Sequence, residues 1–130
     1  AKAHASAAVL DIVYEAATAE ELAARGVSYD AVLLLEVVEH VPDVPAFLKG
    51  VAPLVKPGGV TILSTLNRTL KAYGTHQWER FVKPEELASA LSAAGLSLTG
   101  TEGLIYDPFA DEWRLSTDTD VNYFSTATRA

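Results

Sequence analysis

Tyr29-Asp30-Ala31-Val32-Leu33-Leu34-Leu35-Glu36-Val37-Val38-Glu39-His40-Val41 decides the fold. An unbroken apolar run from Ala31 to Leu35 ends in three polar side chains, Glu36, Glu39 and His40. A short apolar run bounded by Asp30 and a proline-containing loop reads as a parallel strand buried on both faces. Val32–Leu35 is therefore expected to lie inside the protein. In open α/β sheets, functional groups collect just past the carboxyl ends of such strands. Glu36, Glu39 and His40 stand there.

Working outward, Thr18-Ala19-Glu20-Glu21 opens a helix with a capping-box pattern, and Ile12–Ala16 before it reads as a short strand. Asp43 caps a helix with apolar residues at Val44, Phe47, Leu48 and Val51. Lys56-Pro57-Gly58-Gly59 stops it, and Val60–Thr65 is the next strand. Pro84–Ala94 is a helix closed by Gly95. Leu96–Tyr106 and Val121–Thr128 carry strand alternation, separated by turn-rich Asp107-Pro108 and Asp118–Asp120. Strands alternating with helices predict an α/β fold with a mostly parallel sheet, helices on both faces and an antiparallel hairpin at one edge.

Composition narrows the function. The 130 residues hold 10 Lys+Arg against 17 Asp+Glu, net −7. That balance argues against nucleic acid and against docking on anionic lipid through a basic patch. With no cysteine there is neither a disulfide framework nor thiolate chemistry. No apolar stretch approaches the ~20 residues of a membrane span. The chain contains no Met and starts at Ala1, so upstream residues are expected.

Glu36, Glu39 and His40 are spaced i, i+3, i+4, which places them on one face of a helical turn. Two carboxylates and an imidazole suit a divalent cation, with the oxygen bias favouring Mg²⁺ or Mn²⁺. They equally suit acid–base work, with a carboxylate raising the pKa of His40, or a solvated loop cap. Small residues at Thr18-Ala19 leave room for a flat ligand, or form a plain cap. Lys56-Pro57-Gly58-Gly59 lacks a cradle leading into a helix and reads as a chain reversal. Asn67 and Arg68 follow a strand on the same rim. Gly74-Thr75-His76-Gln77-Trp78 is a polar-aromatic loop that could form a lid.

Taken together, Asp30–Val41, Leu54-Val55-Lys56-Pro57-Gly58-Gly59 and Ser64-Thr65-Leu66-Asn67-Arg68-Thr69 resemble class I S-adenosylmethionine-dependent methyltransferases. Gly74-Thr75-His76, Phe81-Val82-Lys83-Pro84 and Asp120-Val121-Asn122-Tyr123 make the chain similar to the O-methyltransferases of ubiquinone biosynthesis. The resemblance implies a Rossmann-like sheet and methyl transfer from S-adenosylmethionine to a catechol-type hydroxyl of a polyprenylated phenol. It implies Glu36, Glu39 and His40 as Mg²⁺ ligands, with His40 and Glu36 catalytic. Leu35, Ala19 and Glu20 would border the cofactor, and Asn67, His76 and Tyr123 the substrate. The family's glycine-rich cofactor loop and ribose-binding acid are absent and would lie upstream of Ala1. Residues 1–130 would then be the C-terminal portion of one domain. An apolar insertion expected between Tyr73 and Gly74 is absent too, and it would supply a peripheral membrane contact. The implied location is the cytoplasm or its inner-membrane surface, or the matrix side of a mitochondrion. Other readings are a different small-molecule methyltransferase, a metal-dependent hydrolase and a non-catalytic Rossmann-type binding module.

Overall fold

The computed structural model describes residues 11–69 and 78–130. Its elements are α1 (Ala19–Ala24), β1 (Tyr29–Leu35), α2 (Val44–Val51), β2 (Val55–Leu66), α3 (Pro84–Ala93), β3 (Leu96–Asp107), β4 (Glu112–Ser116) and β5 (Asn122–Arg129). Short 3₁₀ turns lie at Val38–His40, Ala52–Leu54 and Trp78–Arg80. Ile12–Ala16 forms no strand.

Local chemistry explains the helix starts. Thr18 and Glu21 exchange both capping-box hydrogen bonds, at 2.9 and 3.2 Å. The Asp43 carboxylate accepts from the Ala46 amide at 2.9 Å and opens α2. Pro84 stands in the first turn of α3, and the Lys83 amide donates to the Glu86 side chain at 3.0 Å.

The sheet runs β1-β2-β5-β3-β4. Only β1 and β2 pair in parallel, and the β2–β5, β5–β3 and β3–β4 pairs are antiparallel. The α/β class stands, but the sheet is mixed rather than mostly parallel. β1, β2 and β3 share a direction, and β5 runs between β2 and β3 against both. β4 went unforeseen, and it, rather than the β3–β5 pair, forms the edge. Lys56-Pro57-Gly58-Gly59 lies within β2 as an irregularity: the register skips from Tyr29↔Val55 to Ala31↔Val60. Gly58 takes φ +75° there, which glycine alone adopts without cost.

The core gathers on one face of the sheet. Leu34, Leu63, Tyr123, Ala127 and Leu96 meet Leu48 and Val51 of α2 and Leu87 and Leu91 of α3. The helices described here all lie on that face, where coverage of both faces was expected. The crossovers β1–α2–β2 and β2–α3–β3 step across the sheet in the same direction. Right-handed crossovers in one direction deliver their helices to one side. The expectation for Val32–Leu35 is corrected by the same fact. Leu34 points into the core at 9% exposure, but Leu33 and Leu35, on the face where none of the described helices lies, are 59% and 50% exposed.

Candidate active site

Leu35 ends β1, and the next residue turns sharply. Glu36 has φ +54°, a left-handed conformation that an unbranched acidic residue adopts only under local compensation. Ser64 on β2 compensates it. The Glu36 amide donates to the Ser64 carbonyl at 3.0 Å and reaches its hydroxyl at 3.1 Å, while that hydroxyl donates to Glu36 Oε1 at 2.8 Å. Ser64 thus fixes both the backbone and the carboxylate of Glu36.

Glu39 follows in the Val38–His40 turn and is nearly buried, at 5% exposure. The Thr65 hydroxyl donates to its Oε2 at 2.7 Å. A hydrogen bond to a buried carboxylate is among the stronger ones in a protein. Adjacent strand residues point to opposite faces. Ser64 and Thr65 therefore hold the two glutamates across the rim of the sheet, Glu36 towards the helix-free side and Glu39 towards the helices.

The carboxylates remain close enough to interact. Partial withdrawal from water raises the Glu36 pKa, the Ser64 hydrogen bond opposes that rise, and the Glu39 charge adds to it. His40 is outermost, its side chain 66% exposed and Nε2 4.0 Å from Glu39 Oε1.

The expectation that Glu36, Glu39 and His40 close on one ion is not met. Among the described residues no three His, Asp or Glu side chains form such a group. The i, i+3, i+4 argument assumed an α-helical turn. The chain instead passes from a left-handed Glu36 into a 3₁₀ turn, which leaves Glu36 and Glu39 beside each other with His40 4.0 Å from Glu39. The donor types fit a hard dication, but the placement is that of a carboxylate pair with a neighbouring imidazole.

The remaining predicted residues are placed as follows. Leu35 is exposed beside Glu36. Ala19 packs against the core, and the carboxyl of Glu20 lies over Gly50 of α2, so both serve helix packing. Asn67 is buried and donates from Nδ2 to the Thr119 carbonyl at 2.9 Å. Tyr123 is 1% exposed and its hydroxyl donates to the Val82 carbonyl at 2.9 Å. Burial first, then the charges of Glu86, Glu85 and Glu39, push its pKa up, so it stays protonated. Asn67 Nδ2 and the Tyr123 hydroxyl thus each donate to a backbone carbonyl of the scaffold. His76 lies outside the described residues. Sequence reasoning missed Ser64 and Thr65. Their signal was two adjacent hydroxyls at the end of an otherwise apolar strand.

Beside His40 a cleft of about 650 Å³ opens between the first turns of α2 and α3 and the Trp78–Arg80 turn. Arg68, on its wall, pairs with Glu86.

A strand end carrying Leu35, Glu36, Glu39 and His40 on a mixed α/β sheet defines a class. A methyltransferase domain family model matches residues 3–100, and the chain belongs to that family. A ubiquinone biosynthesis O-methyltransferase from Brucella anthropi is 48% identical over 145 aligned positions, which take in 99% of this chain and 58% of that protein. The chain thus spans little more than half the length of this relative. Among solved structures, the [4+2]-cyclase SpnF superposes with a TM-score of 0.72 at 14% identity, covering 98% of this chain and 60% of that one. The N-methyltransferase NodS from Bradyrhizobium japonicum, solved in complex with S-adenosyl-L-homocysteine, gives 0.54 at 12% identity, covering 79% of this chain and 47% of that one. These structural likenesses concern the fold.

Proposed function

We propose that the protein transfers a methyl group from S-adenosylmethionine to a catechol-type hydroxyl of a polyprenylated ubiquinone precursor. The observation that carries this is the 48% identity to the Brucella enzyme across nearly the whole chain. The S–CH₃ bond of the sulfonium breaks, an O–CH₃ bond forms, and the phenolic proton passes to a base. His40 is exposed at the mouth of the cleft and is the group assigned to receive that proton. Glu39, fixed by Thr65, stands beside it, with Oε1 4.0 Å from Nε2. Glu36, held by Ser64, lines the rim next to Leu35, where the cofactor is assigned. Holding sulfonium and oxygen in line would supply much of the acceleration.

Magnesium is the finer part of this reading. Glu36, Glu39 and His40, which form no closed metal group among the described residues, would have to draw together to hold it, and it would then lower the pKa of the catechol oxygens. Its support is donor chemistry: two neighbouring carboxylates whose repulsion a dication relieves.

Residues 1–130 are further proposed to be the C-terminal portion of one domain. The alignment needs 145 positions for a chain of 130, so at least 15 residues present in the relative have no counterpart here. An insertion between Tyr73 and Gly74 would account for these and would be the contact with an inner-membrane surface carrying the prenylated phenol. No helix among the described residues is long and apolar enough to cross a membrane.

The test is methyl transfer to a prenylated catechol by the full-length protein, with Glu36→Gln and His40→Ala beside it. Loss of turnover with cofactor binding retained supports the assignment. Unchanged turnover in both variants removes these residues from the reaction.

A further inference from the structure

β4 closes one edge of the sheet and pairs with β3 alone among the described residues. The N–H and C=O groups on its other side face outward as a template for a further strand. Tyr106 stands opposite Trp113 and Leu104 opposite Leu115, so these four side chains share one side of the β3–β4 pair. The Tyr106 and Trp113 ring centroids lie 5.2 Å apart, and Trp113 and Leu115 are both more than half exposed. The other side of β4 carries Glu112 and Arg114, both exposed, with Arg114 reaching Asp107 at 3.3 Å. Single exposed apolar residues are ordinary, but an aromatic strip that runs out to an unpaired strand edge marks an interaction surface.

We propose that this edge receives a second copy of the chain, β4 against β4, antiparallel about a two-fold axis at Trp113. Trp113 then meets the partner's Trp113, and Glu112 meets the partner's Arg114 on either side of the axis. Charge selects this register. A two-fold axis normal to the sheet sets residues of the same face opposite each other, so the strands can shift only in steps of two residues. A step one way puts Glu112 on the partner's Glu112, and a step the other way puts Arg114 on the partner's Arg114. Like charges directly opposite are destabilising, and of these three registers only the one centred on Trp113 avoids them. In it, Tyr106, Trp113 and their counterparts form one aromatic row. The charges of β4 thus discourage a strand that does not match and admit its own copy. The contact is short, so the dimer is weak, with a Kd of about 10 μM.

Analytical ultracentrifugation of the full-length protein at low salt tests this. Wild type is expected to dimerise. Glu112→Arg alone and Arg114→Glu alone should each weaken self-association at least about tenfold, because each sets like charges opposite at both pairs. The two variants mixed should form a heterodimer, since every facing pair is then of opposite sign. The double variant Glu112→Arg/Arg114→Glu should dimerise as wild type does. Under oxidation Trp113→Cys should form an intermolecular disulfide, because facing Cα atoms in an antiparallel pair lie about 4.5–5.5 Å apart. Leu115→Cys, set off from its counterpart along the strand, should not. Glu112, Trp113, Arg114 and Leu115 are all exposed, so these variants fold. A wild type that stays monomeric up to about 1 mM overturns the proposal, whether its edge is bare or covered by another part of the chain. A dimer indifferent to both charge reversals, or one that the mixture fails to restore, overturns it as well.

Discussion

Thr61 and Thr65 allow one substitution to be tried twice in a nearly constant setting. Both lie on β2, both face the helices and both are 0% exposed. Thr→Val keeps the shape and exchanges a hydroxyl for a methyl, so the cavity contribution is small at either place. The hydroxyls differ in their partners. Thr65 Oγ1 donates to the buried Glu39 carboxylate at 2.7 Å, whereas Thr61 Oγ1 has no hydrogen-bond partner among the described residues. Removing a donor from a buried charged acceptor costs about 1.5–3 kcal/mol, and an unpaired buried hydroxyl carries a desolvation penalty of about 1–3 kcal/mol. Thr65→Val should therefore destabilise by about 2 kcal/mol and Thr61→Val should stabilise by about 1 kcal/mol. For a chain of this size, that separates the two melting temperatures by several degrees. Urea denaturation of both variants measures it, and pairing Thr65→Val with Glu39→Gln should show coupling above about 0.5 kcal/mol. Equal effects at the two positions would refute the reasoning, because they would mean that Glu39 draws nothing from Thr65.

Three further outcomes are expected. Gly103→Ala should destabilise by about 1–3 kcal/mol, because a Cβ there would stand 1.6 Å from the Asp118 carbonyl oxygen; thermal melting checks it. Arg129→Met should cost about 1–3 kcal/mol in urea, since its guanidinium donates to the Ala52, Pro53 and Val55 carbonyls where α2 gives way to β2. Glu36→Gln should change how stability depends on pH. The pKa of Glu36 is raised in the folded protein, so its contribution is present below the ordinary value of 4.5 and lost as pH climbs through the raised value. The variant escapes that loss, so it should gain on wild type as pH rises past 4.5, and parallel stability curves would contradict this.

Much of the architecture was legible because it rests on local signals. Thr18, Asp43, Pro84 and Gly95 mark their helix ends in the chain itself, and α1, α2 and α3 begin where those residues predict. What the chain did not announce depends on distant partners. Leu33 and Leu35 read as core, since a buried strand and a strand with one open face share a pattern when every residue is apolar. β4 is an edge strand with Glu112 and Arg114 among its five residues, and charge of that kind masks a strand in sequence while protecting its edge in the fold. At the candidate site, the placement of Glu36, Glu39 and His40 just past β1 was legible in the sequence. Their mutual geometry was not, because it is set by Ser64 and Thr65, 28 and 26 residues away from Glu36 and Glu39. Asn67 and Tyr123 looked available for substrate, and only tertiary structure reveals the carbonyls they serve.

The most direct test of the central claim is transfer of labelled methyl from S-adenosylmethionine to a prenylated catechol by the full-length protein. The account predicts a labelled methyl ether, stoichiometric S-adenosylhomocysteine, and loss of both in His40→Ala with the cofactor still bound. Tight cofactor binding with no methyl ether formed on any catechol would contradict it.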